Sequence, residues 1–208
     1  MNDLTAKILK LNRERTGRRN TEGYVSPEHL KISQRVSSPA LAHMYPSADI
    51  PVVQLSLNAL KPLDYHVALA TKLDSLRSKG VLLITSGNVV HNLRRLQRDK
   101  KDLAYDWAER FDDAVLNQLG RSPDDILRLA EHPDYNLAVP TPDHFIPLLY
   151  LAGLAATDKA QPEPLVRGYS MGSISMTCYG LGAEIELRKD ATRAAILPAG
   201  VPPDQTNM

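Results

Sequence analysis

A single cysteine, Cys178, stands in 208 residues, which excludes an internal disulfide framework and any zinc module built on several thiolates. Charge of one sign is missing too: 25 Lys+Arg against 24 Asp+Glu leaves +1 with histidine neutral. A chain organised around phosphates usually carries a clear basic excess, so no nucleic-acid partner is expected. The longest apolar stretch, around Phe145 to Ala156, falls far short of the ~20 residues that cross a bilayer. No membrane role is expected. The apolar core of a signal peptide is also absent, because Arg13, Arg15, Arg18 and Arg19 stand where it would lie. No internal repeat is visible. With 43% hydrophobic and 24% charged residues, the chain has an ordinary globular composition and is expected in the cytoplasm. Its length suits one sizeable domain or two very small ones.

Three zones differ in composition. Residues 1–38 form a polar, basic arm with one helix expected after Asp3, where Leu4, Ile8 and Leu11 share a face. The arginines that follow read as a solvated arm. Residues 39–181 carry the domain. From 182 to 208 a disordered tail is expected, since Leu197-Pro198-Ala199-Gly200-Val201-Pro202-Pro203 sustains neither helix nor strand.

Within the domain, Ile50 to Leu57 reads as a strand opened by Pro51. Asp64 then caps a helix carrying Val67, Ala70, Leu73 and Leu76 at helical spacing, ended by Gly80. The continuous run Val81-Leu82-Leu83-Ile84-Thr85-Ser86 reads as a strand buried on both faces. Strand, helix, strand makes a βαβ unit with parallel strands, so the fold class is α/β. Leu103, Trp107, Phe111 and Val115 form an apolar stripe closed by Gly120. Ser122-Pro123-Asp124-Asp125 and Thr141-Pro142-Asp143-His144 each open a further helix. Ser173 to Tyr179 alternates with period two, which predicts a strand with Ile174, Met176 and Cys178 inward. Cys178 there is a small buried hydrophobe rather than a nucleophile.

Two of six histidines stand out. His91 follows Ser86-Gly87-Asn88-Val89-Val90, just past the carboxyl end of the second strand, the end that faces the ligand crevice in open α/β sheets. Gly87 allows a sharp turn, and Ser86, Asn88 and Asn92 surround His91 with polar groups. His144 lies in the first turn of its helix. A neutral imidazole can accept a proton or bind a metal; the plainer alternative for each is a half-buried histidine bonded to backbone. The two are expected to face one crevice. His29, His43, His66 and His132 read as surface or helix-face residues.

The stretches His43-Met44-Tyr45-Pro46 to Ser56, Ser86-Gly87 to His91-Asn92, Pro142-Asp143-His144 to Gly153, and Gly172-Ser173-Ile174-Ser175-Met176 occur in that order. Together they resemble the class III extradiol ring-cleavage dioxygenases of the DOPA 4,5-dioxygenase type, over residues 39–180. The resemblance implies an α/β fold with a central, largely parallel sheet flanked by helices, and a mononuclear non-haem metal, Fe2+ or Zn2+. It implies a small catechol such as DOPA as substrate, with O2. It gives His91 the part of a metal ligand and His144 that of the acid/base acting on the catechol. Imidazole suits iron and zinc alike.

The family's opening strand with its His-Gly-Ser-Pro motif, a further histidine shortly after, and an Asp-His-Gly segment have no counterpart here. The last would fall near Gln34-Arg35-Val36. A truncated dioxygenase with an incomplete ligand set is therefore expected, possessing a sheet edge open to self-association. The alternative is a catalytically inactive relative that binds a small aromatic molecule or pairs with a partner subunit.

Overall fold

A computed structural model describes residues 57–182 together with Tyr45, Val52, Val53 and Leu55. The N-terminal arm, the C-terminal tail and most of the strand expected at Ile50 to Leu57 lie outside the described residues. The elements below all belong to one compact unit, residues 59–187.

Helix α1 spans Leu63–Arg77 and buries His66, Leu69, Ala70, Leu73 and Leu76, the three-and-four spacing of an amphipathic helix. Pro62, not Asp64, occupies the N-cap. Asp64 lies two places past the cap, in the first turn, where the helix dipole favours a carboxylate. Gly80, at φ +77°, ends the turn as expected, donating to the Arg77 carbonyl at 2.9 Å. Helix α2 spans Asp106–Arg121 and buries Ala108, Phe111, Asp112, Val115 and Leu119. Leu103 precedes this helix and is exposed, so the expected stripe begins one turn later. A 3-10 segment, Pro123–Glu131, kinks at Asp125 and leads to the short helix α3, Tyr135–Ala138.

Helix α4, Ile146–Asp158, is apolar nearly all round and buries nine residues from Ile146 to Ala155, as a helix with no polar face must. Its contact with α1 depends on Gly153, where an added Cβ would come 2.7 Å from Ala70 Cβ and 2.8 Å from the Val67 carbonyl oxygen. Arg77 and Asp158 pair across the ends of the two helices. Phe111, Val115, Leu119, Ile126, Phe145 and Leu149 fill the centre of the core.

The strands depart furthest from expectation. Residues 81–86 belong to no helix or strand and pair with no strand among the described residues. Leu82 is 60% and Ile84 47% exposed, where burial on both faces was expected. A continuous apolar run signals double burial only when neighbours cover both faces, and its expected crossover partner lies mostly outside the described residues. The described sheets are two antiparallel pairs: β1 (Glu163–Val166) with β4 (Cys178–Gly180), and β2 (Tyr169–Ser170) with β3 (Ile174–Ser175). The fold is a mixture of helix and strand, and the central parallel sheet is not seen among the described residues. Ser173 to Tyr179, expected as one strand, is divided between β3 and β4 of the two sheets, and its burial alternates with the faces inverted. Ser173 and Ser175 are buried, whereas Met176 and Cys178 are exposed. The cause is a buried carboxyl on α2, Asp112, which the serine side of the strand meets.

Candidate functional site

Val89 and Val90 are buried and anchor the segment that carries His91. Backbone bonds grip it from two sides. The His91 N–H donates to the Ala138 carbonyl at 2.9 Å, the Asn92 N–H to that of Ser173 at 3.1 Å, and the Ser175 N–H to that of Val90 at 3.0 Å. Asn88 and Asn92, expected to surround the imidazole, tie down backbone instead. Asn88 Nδ2 donates to the Ser175 carbonyl at 2.7 Å, and Asn92 Nδ2 to that of Leu137 at 2.8 Å.

His144 closes a 3-10 turn, Pro142–His144, one residue ahead of α4. Phe145, 1% exposed, roots this turn in the core. Gly87 brings the two segments together through its lack of a side chain rather than by turning the chain. An added Cβ there would lie 2.4 Å from the His144 carbonyl oxygen and 2.8 Å from Pro147 Cγ. The consequence is a face-to-face pair: the His91 and His144 rings have centroids 3.5 Å apart and planes inclined by 10°. The two histidines singled out from the sequence are brought to one place.

Burial pushes the His91 imidazole below its ordinary value, and the neighbouring His144 pushes it the same way; Asp143 opposes both. The Thr141 side-chain hydrogen bond holds Asp143 below the usual carboxylate range, against its burial. Asp143 Oδ2 lies 3.7 Å from His144 Nε2. His144 Nδ1 is buried with no hydrogen-bond partner. Leaving such an atom unmet costs about 1–3 kcal/mol, and buried atoms of that kind call for an explanation. A ring nitrogen held ready for a ligand or a proton supplies one.

The histidine pair is the candidate place for a metal. Its donors are imidazoles, which suit iron and zinc, but a tight site takes at least three ligands. Among the described residues no group of three or more His, Cys, Asp or Glu could hold an ion. The described residues alone do not complete a metal centre.

Two polar residues escaped the sequence reading. Asp112 is fully buried and accepts from four side chains: Ser175 Oγ at 2.6 Å, Thr177 Oγ1 at 3.0 Å, an Arg167 guanidinium nitrogen at 3.1 Å and the Tyr169 hydroxyl at 3.2 Å. Its signal was its place on the apolar face of α2, one residue after Phe111 and three before Val115. His66, read as a surface or helix-face residue, is fully buried, with Nδ1 3.3 Å from the Tyr150 hydroxyl. The apolar spacing of α1 runs straight through it. His132 uses Nδ1 to accept from the Asp134 N–H at 3.1 Å. It also borders an open cleft of about 400 Å³ lined by Gln118, Arg121 and Arg128, which neither His91 nor His144 lines. His29 and His43 lie outside the described residues.

Comparison with known proteins gives this geometry a context. Residues 39–182 match the family described as the catalytic LigB subunit of aromatic ring-opening dioxygenase. A 4,5-DOPA dioxygenase extradiol from Escherichia coli (strain K12) is 40% identical over 147 residues, covering 68% of this chain and 54% of that protein. One of the same name from Beta vulgaris is 33% identical over 138 residues, covering 65% and 51%. A solved structure of an uncharacterised protein, JW3007 from Escherichia coli K12, superposes with a TM-score of 0.57 at 38% identity, covering 66% of this chain and 57% of that one. The chain spans about half the length of the named relatives it matches.

Proposed function

Because this chain belongs to the family of the catalytic LigB subunit of aromatic ring-opening dioxygenase, we propose that it serves a non-haem, metal-dependent extradiol dioxygenase. The substrate is a small catechol such as DOPA, cleaved with O2. His91 is a ligand of the iron or zinc, and His144 is the acid/base. The remaining metal donors then come from residues other than the described ones. In the same reading, residues 81–86 are a strand of a larger, largely parallel sheet. The exposed Leu82 and Ile84 support that part.

The observation that carries the proposal is the stacked pair, 3.5 Å between ring centroids, with a buried, unpartnered nitrogen on the His144 ring. A bound metal would hold catecholate and dioxygen together, with iron supplying the redox chemistry. The chain's own residues do the rest. His91, its basicity lowered by burial, stays neutral near pH 7 and keeps a lone pair free for coordination. His144 offers a nitrogen within reach of the same small volume, where it can take the phenolic proton. Burial of Val90 and Phe145 fixes both segments, so neither imidazole needs to reorganise.

The test is a reaction of purified protein with iron(II), DOPA and air, followed by visible absorbance of the yellow ring-opened product. Turnover that disappears in both His91→Ala and His144→Ala is expected. No product, or product undiminished in the two variants, overturns the proposal.

A further inference from the structure

The buried Asp112 centre and the half-buried histidine pair are joined by β3. Ser175 Oγ donates to Asp112 Oδ1 at 2.6 Å, and the Ser175 N–H donates to the Val90 carbonyl at 3.0 Å. Two residues earlier, Ser173 accepts from the Asn92 N–H at 3.1 Å and its hydroxyl donates back to the Asn92 carbonyl at 2.8 Å. His91 lies between these two clamps and forms a bridge with Ile174. The Ser175 carbonyl is held in turn by Asn88. Every one of these bonds depends on which face of the strand points at α2.

A strand has a period of two, so a slip by one residue would turn Ile174 toward Asp112 and undo both clamps. The sequence alone leaves that parity open, because Ile174, Met176 and Cys178 make an equally regular apolar face. Asp112 decides it. A fully buried carboxyl is costly to keep for stability alone, since an apolar residue of similar volume often does as well. Here it converges four donors, three of them on Tyr169, Ser175 and Thr177 of the β2–β3 region.

We propose that Asp112 is a positioning residue for the histidine pair: through Ser175 it sets the register of β3, and β3 sets His91 against His144. This rests on the reading that the pair is the reactive site. Asp112 itself touches neither ring and moves no proton in the reaction.

Ring stacking supplies a readout independent of turnover. Two imidazoles at 3.5 Å displace each other's ring C–H signals upfield, which histidine-selective NMR reads at one fixed, mildly alkaline pH. Loss of that displacement is expected in Asp112→Asn and in Ser175→Ala. Two controls separate positioning from stability. Val115→Ala removes a buried side chain one turn along α2, and Arg167→Ala removes a donor to Asp112 that makes no bond to β3. Both should lower the melting temperature and keep the upfield signals. Should Asp112→Asn fail to fold, Ser175→Ala carries the test. Upfield signals retained in Ser175→Ala, or lost equally in Val115→Ala, overturn the proposal. An intact stack in a protein that cleaves no catechol would instead refute the dioxygenase reading and leave the role of Asp112 standing.

Discussion

Two polar centres lie within one small unit, and they are built on opposite terms. Asp112 itself is fully satisfied: four donors meet the two oxygens of a fully buried carboxyl, although the nearby Tyr179 hydroxyl is buried without a partner. Around His91 and His144 satisfaction is withheld. One ring nitrogen is buried without a partner, the His144 side chain is 37% exposed, and the nearest carboxylate, Asp143, is 55% exposed. A completed network holds a fold together, whereas an uncompleted one beside solvent is where chemistry can enter.

The largest expected effect lies on the satisfied side. Asp112→Ala strips the acceptor from four donors and should cost about 3–5 kcal/mol of stability, measured by urea unfolding. His144→Ala removes an unmet atom and should cost within about 1 kcal/mol. Equal losses for the two variants would break the contrast.

Next comes Gly87→Ala, which forces a methyl to within 2.4 Å of the His144 carbonyl oxygen. Overpacking of this kind costs about 1–3 kcal/mol. It should also separate the rings, so the upfield histidine signals should vanish while the Asp112 network survives.

The two centres should also fail at opposite ends of the pH scale. His91 lies below its ordinary 6.5 when folded, through burial first and His144 second. The unfolded chain then binds more protons between the two values. Stability from this group is therefore full above 6.5 and is lost as pH falls through the folded value. Tyr169 is pushed up from 10.0 to about 12, by burial first and by Asp112 next. Its contribution is full below 10.0 and is lost as pH rises toward about 12. Melting curves should show His91→Asn flattening the acid limb and Tyr169→Phe the alkaline one. The smallest effect belongs to Cys178, exposed in this fold. Cys178→Ser should change stability by less than about 0.5 kcal/mol, and the native thiol should react freely with a maleimide.

Helices and the histidine pair were legible because each leaves a local trace. The spacing of Ala70, Leu73 and Leu76 encodes a face, and the Ser-Gly-x-x-x-His-Asn and Pro-Asp-His stretches mark the two histidines. What the sequence hid is set by distant partners. The parity of Ser173 to Tyr179 depends on an acid some sixty positions earlier, at Asp112, so an apolar alternation pointed the wrong way. The exposure of Leu82 and Ile84 depends on which distant segments lie against residues 81–86, which no local run of residues contains. His66 looked like a surface histidine because its type outweighed its spacing.

His91 and His144 are proposed to form a single reactive site. Titrating the protein with DOPA while following the histidine side-chain signals by NMR tests it most directly. The His91 and His144 signals are expected to move together, with one dissociation constant, while those of His66 and His132 stay in place. Signals that shift only at His132, in the arginine-lined cleft, or at neither member of the pair, would contradict it.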